Sequence, residues 1–136
     1  MRITKILYIW IMRKFIILHT CKDNGLISVA VDEIVCAAVF DSDTKSSQVY
    51  INGDEENSIV VNEKLTDIMK RIGDARKFIM VHSQSSNNEV LLPSDVIMTV
   101  REINGKRSRI TISNNAFAEF DINESVTTVT EMLNKQ

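Results

Sequence analysis

The chain has 136 residues, of which 44% are hydrophobic and 25% are charged, the size and balance of one ordinary globular domain. Sixteen Lys and Arg residues against eighteen Asp and Glu residues give a formal charge of -2, so the surface as a whole offers no electrostatic basis for binding a polyanion. Only four Gly residues and one Pro exclude collagen-like, low-complexity and disordered classes.

The N-terminal segment is basic and apolar. Residues 1–14 carry four positive charges and no negative charge. The apolar run 6–12 is shorter than the roughly 20 residues that a membrane-spanning helix needs. No small-residue cleavage site of a secretory signal follows this run. We predict that residues 1–14 are a leader outside the fold, with an N-terminal strand or short helix as the alternative, and that the protein is cytoplasmic.

The remainder of the chain contains an internal repeat. Residues 15–20 resemble residues 78–83, which lie 63 positions further on. The same offset, reduced to 61 after one loop, brings polar residues of the two halves into register. The aligned pairs are His19 with His82, Asp32 with Asp95, Asn62 with Asn123 and Glu63 with Glu124. We predict two tandem pseudo-symmetric repeats, residues 15–77 and 78–136, packed together as one compact domain.

Each repeat is predicted to begin with short strands. The apolar run 15–20 is too short for a helix, and Asn24-Gly25 after it favours a hairpin turn with positive φ angles. Residues 26–31 are then the return strand. The other predicted strands are residues 34–40, 47–51 and 58–61, and residues 96–103, 108–113 and 118–122 in the second repeat, where Asn104-Gly105 is the clearest hairpin signal.

A helix is predicted at the end of each repeat. Asn62 can cap the first helix, Glu63 can interact with its dipole, and Gly73 can end it. The apolar stripe of this helix is Leu65, Ile68, Met69 and Ile72, and the second helix repeats the pattern with Asn123, Glu124, Val126, Val129 and Leu133. The predicted fold class is therefore α+β and mostly β, with about four to five short antiparallel strands and one C-terminal helix in each repeat.

The second repeat carries a family resemblance. Its residues 92–97 read Leu-Pro-Ser-Asp-Val-Ile, and after two strands residues 122–125 read Ile-Asn-Glu-Ser at the start of the helix. This pattern resembles the small FlbD family of flagellar and swarming-motility accessory proteins, and residues 29–34 and 61–63 are the counterparts in the first repeat. The family has a single copy that usually continues into a basic tail, and this chain departs from both features. The resemblance implies a small β-rich accessory module without catalytic residues.

The polar residues shared by the repeats are candidate sites. His19 and His82 could in principle share a metal, but their neighbours supply no further ligands at regular spacing. We predict that each histidine is satisfied locally, and that the protein has no metal or cofactor. Asp32 and Asp95 precede strands, so we expect each to bond a turn amide rather than to act in acid–base catalysis.

The sequence contains no motif of a common enzyme class. G-x-S-x-G, a Walker loop and H-E-x-x-H are all absent from it. Cys21 and Cys36 form no C-x-x-C pair, and we predict that they are reduced thiols in or near the core. We therefore predict that the protein is not an enzyme.

Positive charge is concentrated on one hairpin. Lys106, Arg107 and Arg109 are three of the five cations in the second repeat. A basic hairpin tip can contact phosphate, as in β-rich DNA-binding modules of the LytTR type. Because acidic residues outnumber basic ones in both repeats, a solvated hairpin is favoured.

These patterns predict a non-catalytic protein-interaction or assembly accessory module of bacterial or bacteriophage origin. Its predicted partner is another protein or a second copy of the chain. The alternatives are a regulatory nucleic-acid-binding protein that uses Lys106, Arg107 and Arg109, and a small-ligand binder at the interface between the repeats.

Overall fold

A computed structural model describes residues 13–40, 45–52, 58–113 and 119–135. These residues are mostly strand, arranged in antiparallel sheets with two α-helices, which confirms the mostly β, α+β class. The strands are β1 (Phe15–His19), β2 (Leu26–Ala30), β3 (Ile34–Val39), β4 (Ser47–Ile51), β5 (Ser58–Val61), β6 (Phe78–His82), β7 (Glu89–Pro93), β8 (Ile97–Asn104), β9 (Arg107–Ile112) and β10 (Glu119–Ile122), and the helices are α1 (Leu65–Ile72) and α2 (Val126–Asn134).

The strands form three antiparallel sheets. β1 pairs with β2, the order β10-β9-β8 forms a second sheet, and the order β5-β4-β3-β7-β6 forms the third. Single bridges, Thr20 to Val61 and Ser83 to Ile122, join the end of β1 to β5 and the end of β6 to β10. Strands from both halves of the chain thus meet in the five-stranded sheet.

The two halves meet at the pairing of β3 with β7. Ala37 lies opposite Leu91 and Ala38 lies opposite Val90. We call this contact the internal seam. It joins the third strand of the first half to the second strand of the second half, so the two halves contribute different edges.

Two apolar clusters lie on opposite faces of the five-stranded sheet. Leu91 belongs to the first cluster and its neighbour Leu92 belongs to the second, and successive side chains of a strand point to opposite faces. The first cluster contains mainly residues of the first half with Phe78 and Leu91, and the second contains mainly residues of the second half with Val35 and Cys36. Each half therefore supplies part of the core of the other.

The helices cover one cluster each. In α1, Leu65, Ile68 and Ile72 are buried in the first cluster, whereas Met69, which we had placed in the same stripe, is exposed. Met69 lies at the margin of the stripe, so its side chain is left in solvent. In α2, the buried residue is Val129, in the second cluster.

The predicted N-caps of both helices are wrong, whereas the predicted end of α1 at Gly73 is confirmed. α1 begins after Lys64 without a side-chain cap, and α2 is capped by Ser125, whose Oγ accepts a hydrogen bond from the Thr128 amide at 3.2 Å. Asn62 and Asn123 lie before these positions. Their side-chain amides bind hairpin turns instead, as described below.

The first hairpin is present, but its turn differs from the prediction. Thr20 N donates to Gly25 O and Asn24 N donates to Thr20 O, each at 2.9 Å. Asn24 has a φ of 54°, and its counterpart Asn87 in the β6–β7 hairpin has a φ of 60°, whereas Gly25 is not in the positive-φ region. The loop between β1 and β2 is longer than a two-residue hairpin turn and contains one residue in the left-handed region. That residue is an Asn in both hairpins.

Residues at the margins of the predicted core differ from expectation. Lys14, which we assigned to the leader, accepts a hydrogen bond from Val31 N at 2.9 Å and donates from Nζ to Ile72 O at 3.1 Å. Residues 1–12 of the predicted leader lie outside the described residues. Cys36 is buried, and burial raises the pKa of its thiol to about 12. Cys21, in contrast, is exposed.

Gly73 ends α1 with a φ of 57° and a ψ of -133°, a conformation that other residues rarely adopt. We expect Gly73→Ala to lower the free energy of unfolding by about 1 to 3 kcal/mol, because the added Cβ makes this backbone geometry strained. Urea denaturation followed by circular dichroism measures the change. The matched control is Gly105→Ala, where φ is outside the positive region and a Cβ would meet nothing within 4 Å. Equal effects of the two substitutions would contradict the prediction.

Candidate interaction surface

A buried carboxylate joins β1 to the start of α1. Glu63, whose side chain is 6% exposed, accepts a hydrogen bond from His19 N at 3.0 Å, and its other oxygen lies 2.7 Å from His19 Nδ1. Arg71 Nη1 donates to the same oxygen at 3.0 Å. Both carboxylate oxygens therefore have partners, which fixes the end of the strand against the helix.

The second half has a similar cluster. Glu124 accepts from His82 N at 2.9 Å, and its other oxygen lies 2.7 Å from His82 Nδ1. We predicted that Glu63 and Glu124 interact with the helix dipole. Their carboxylates instead contact a histidine at the end of a strand. The backbone is also held at these positions, since Ser47 Oγ donates to Glu63 O at 2.7 Å and Ser108 Oγ donates to Glu124 O at 2.8 Å.

The charge of Glu63 is stabilised by its neighbours. Burial acts to raise the pKa of this carboxyl, but hydrogen bonds from His19 and the charge of Arg71 hold the pKa below its usual range. A carboxylate occupied in this way is a poor general base, because its lone pairs already accept hydrogen bonds. In the ranges that the structure describes, no group of three or more His, Cys, Asp or Glu residues could hold a metal ion.

Asp32 and Asp95 bind arginines rather than the turn amides that we expected. Arg13 Nε lies 3.2 Å from Asp32 Oδ1, and Arg76 Nη2 lies 2.8 Å from Asp95 Oδ1. Each arginine is also stacked over a phenylalanine two residues further on, at 5.2 Å for the first and 5.5 Å for the second. Both aspartates lie in short 3₁₀ turns, which present their carboxylates to the preceding segment of chain.

Arg76 also crosses the internal seam. Its Nη1 donates to Val31 O at 3.0 Å and to Ile34 O at 2.8 Å, which are carbonyl groups of the first half. Its side chain is 11% exposed. Arg76, in the segment between α1 and β6, therefore links Asp95 of the second half to the turn that precedes β3.

The shared asparagines hold the hairpin turns. Asn62 Nδ2 donates to Asn24 Oδ1 at 3.1 Å, and Asn123 Nδ2 donates to Asn87 Oδ1 at 2.6 Å. In each half the amide thus links the segment after the last strand to the left-handed residue of the first hairpin.

The basic hairpin does not form a free cationic patch. Arg109 binds Asp121 through two hydrogen bonds, at 2.7 and 3.2 Å. This contact raises the pKa of Arg109 and lowers the pKa of Asp121. Lys106 and Arg107 are exposed, and no ion pair of either side chain is found among the described residues. Among the described residues, therefore, two of the three hairpin cations, Lys106 and Arg107, have no ion pair.

A cleft of about 360 Å³ lies beside the Arg109–Asp121 pair. It is lined by Ser83, Gln84, Ser85, Arg109, Glu119, Phe120 and Asp121. All of these residues belong to the second half, so this cleft is not the ligand site between the repeats that we had considered. The charges of Arg109 and Asp121 neutralise each other, and Glu119 is a second carboxylate in the lining.

The outer edges of β2 and β8 remain open. Each strand has one strand neighbour, and no other strand within the described ranges pairs with it. Large apolar side chains are exposed here, with Leu26 of β2 at 70% and Met98 of β8 at 64%. Ile103 of β8 and Phe15 of β1 are also exposed. Exposed apolar residues beside unpaired backbone groups are typical of a surface that binds another chain.

Sequence reasoning did not locate these edges. The hairpin turn before residues 26–31 and the apolar content of residues 96–103 predicted these strands, but an edge is defined by a missing neighbour, which local sequence does not report. The polar residues of β8, Arg101 and Glu102, are the signal that could have indicated incomplete burial.

No family model, curated protein or solved structure was found to match the chain. No helix in the described part of the chain is long and apolar enough to cross a membrane.

The Glu63 cluster predicts how stability depends on pH. A carboxyl whose pKa is lowered by folding stabilises the native state above its ordinary pKa, and the effect is lost as the pH falls through the lowered value. We expect Glu63→Gln to lower the free energy of unfolding by about 1 to 3 kcal/mol at pH 7, and this deficit to shrink on acidification. Thermal or urea unfolding between neutral and acid pH measures both effects.

The control for this measurement is Glu131→Gln, at an exposed position of α2. It should follow the wild-type pH dependence. A deficit of Glu63→Gln that stays constant down to strongly acid pH would show that the charge of the carboxylate does not contribute.

Proposed function

We propose that this protein is a non-catalytic protein-interaction or assembly module, whose partner binds along the open strand edges. The observation that carries this proposal is the exposure of Leu26 and Met98 at the outer edges of β2 and β8. An added strand can pair with the free backbone groups of an edge, while its side chains cover the neighbouring apolar residues.

The use of the polar residues supports a role without catalysis. Glu63, Glu124, Asp32 and Asp95 each bind a side chain of the fold. Groups that are held in this way stabilise turns and strand ends. These four carboxylates therefore have structural roles, and the open strand edges are the better candidate site.

We also propose that the chain arose by duplication of one unit, of the kind that the FlbD-like resemblance implies. Element order supports this proposal, because two strands, a 3₁₀ turn, three strands and a helix occur twice. Recurrent contacts support it further. The matching pairs are His19–Glu63 with His82–Glu124, Arg13–Asp32 with Arg76–Asp95, and Asn24–Asn62 with Asn87–Asn123.

Photo-crosslinking in the native host tests the proposed function. We expect p-benzoylphenylalanine in place of Leu26 or Met98 to form protein adducts, because both side chains lie where a partner strand would bind. Adducts are measured on denaturing gels after irradiation of cells that express the full chain.

The matched control is the same amino acid in place of Met69, which is exposed on α1 and belongs to neither edge strand. Adducts should be absent or weak there. The proposal is wrong if neither edge position forms an adduct, or if all three positions form the same adducts.

Nucleic-acid binding is the alternative that the exposed Lys106 and Arg107 favour. We expect no such binding, because Arg109 is neutralised by Asp121 and the chain carries a net negative charge. Fluorescence anisotropy with a short labelled DNA duplex should show no affinity that rises as salt is lowered. Binding that weakens steeply with salt, and is lost in the Lys106→Ala, Arg107→Ala double variant, would support the alternative instead.

A further inference from the structure

The internal seam shows which side chains are buried where two strand edges pair. On β3, Val35 is 3% exposed and Cys36 is buried. On the second half, Phe78 of β6 is 6% exposed and Leu91 of β7 is fully buried. The contact thus covers apolar side chains on both of its sides.

The counterparts of these residues, 63 positions away, lie in solvent. Met98 corresponds to Val35 and is 64% exposed, and Phe15 corresponds to Phe78 and is 52% exposed. Thr99 and Ser28, the counterparts of Cys36 and Leu91, are exposed as well. Equivalent positions therefore differ in burial according to whether a neighbouring edge is present.

Arg13 gives a second, independent indication. Its counterpart Arg76 binds Asp95 and also donates to two carbonyl groups across the internal seam. Arg13 binds Asp32 and Glu33 within its own half. The two carbonyl groups equivalent to those that Arg76 reaches belong to Ser94 and Ile97, at the start of β8.

The internal seam is also directional. It joins β3 to β7, and the strands that correspond to these two in the other half are β8 and β2. The chain therefore retains one free edge that matches β3, on β8, and one that matches β7, on β2. A contact between unlike surfaces repeats when a further copy supplies the missing surface. A second copy of the chain carries both missing edges.

We propose that β8 of one copy pairs antiparallel with β2 of another copy, as β3 pairs with β7 within the chain. By equivalence with the internal register, Val100 lies opposite Ser28 and Arg101 lies opposite Ile27. Arg13 of the second copy then donates to the Ser94 and Ile97 carbonyl groups of the first. Two copies related by a twofold axis make this contact twice and leave neither edge open.

This inference rests on the proposed function and specifies its partner. The first test is the mass of the purified full chain, by light scattering coupled to size-exclusion chromatography. We expect at least twice the chain mass of 15.4 kDa for the wild type. Leu26→Glu and Met98→Lys should reduce the mass at least twofold, because each places a charge in the contact and the first lies opposite Glu102 in this register, whereas Met69→Lys should leave it unchanged.

The second test is a disulfide between copies. In a Cys21→Ser background, one chain carries Ser28→Cys and a differently tagged chain carries Val100→Cys. Residues directly opposite in an antiparallel pair are close enough to be bridged. We expect mixing under mild oxidation to link the two tagged chains, and little linkage within either variant alone.

Three results would overturn the inference. They are a wild-type chain of single mass, an oligomer that Leu26→Glu and Met98→Lys both leave intact, and a disulfide that forms within one chain when both cysteines are placed in it while mixed chains do not link. A chain of single mass whose edges still crosslink to a different protein would retain the proposed function and reject the second copy. A chain without adducts at either edge would reject both.

Discussion

The pairing of β3 with β7 is the contact on which the rest of the structure depends. It is short, with Ala37 opposite Leu91 and Ala38 opposite Val90, yet it makes one sheet from strands of both halves. Because that sheet has an apolar cluster on each face, each half gives residues to the core of the other. A unit of about 60 residues is at the size where a lone core is marginal. The exchange of core residues is therefore expected to make the two halves fold together.

Polar contacts fix the positions of strand ends within this apolar framework. Glu63 and Glu124 each receive a backbone amide and an imidazole from the end of a strand. Ser47 and Ser108, both fully buried, satisfy the carbonyl groups of the same two glutamates. These hydrogen bonds fix where a strand ends relative to the following helix, which apolar packing alone does not specify.

Local pattern was sufficient to predict most of the elements. The predicted strand at residues 58–61 coincides with β5, and the apolar stripe of α1 was correct except for Met69. The errors occur where a side chain chooses between local and distant partners. Asn62 has the chemistry of a helix cap, but it binds Asn24, which lies 38 residues earlier in the chain. Asp32 likewise binds an arginine of the preceding segment.

The candidate site was harder to predict than the fold. β3 and β8 each follow a 3₁₀ turn and pair with the next strand of the chain, and β7 beside β3 makes β3 internal, whereas β8 is an edge among the described strands. Arg109 illustrates the same limit, because its charge was visible in the sequence while its pairing with Asp121 was not.

The position of Cys36 gives the internal seam a natural reporter. Thiol reagents react with the thiolate. The Cys36 thiol is buried, and burial raises its pKa to about 12. Its labelling rate therefore follows the fraction of time for which local opening exposes this part of β3. Cys21 is exposed and supplies the rate of an accessible thiol in the same molecule. The ratio of the two rates measures the opening equilibrium of the native chain without any substitution.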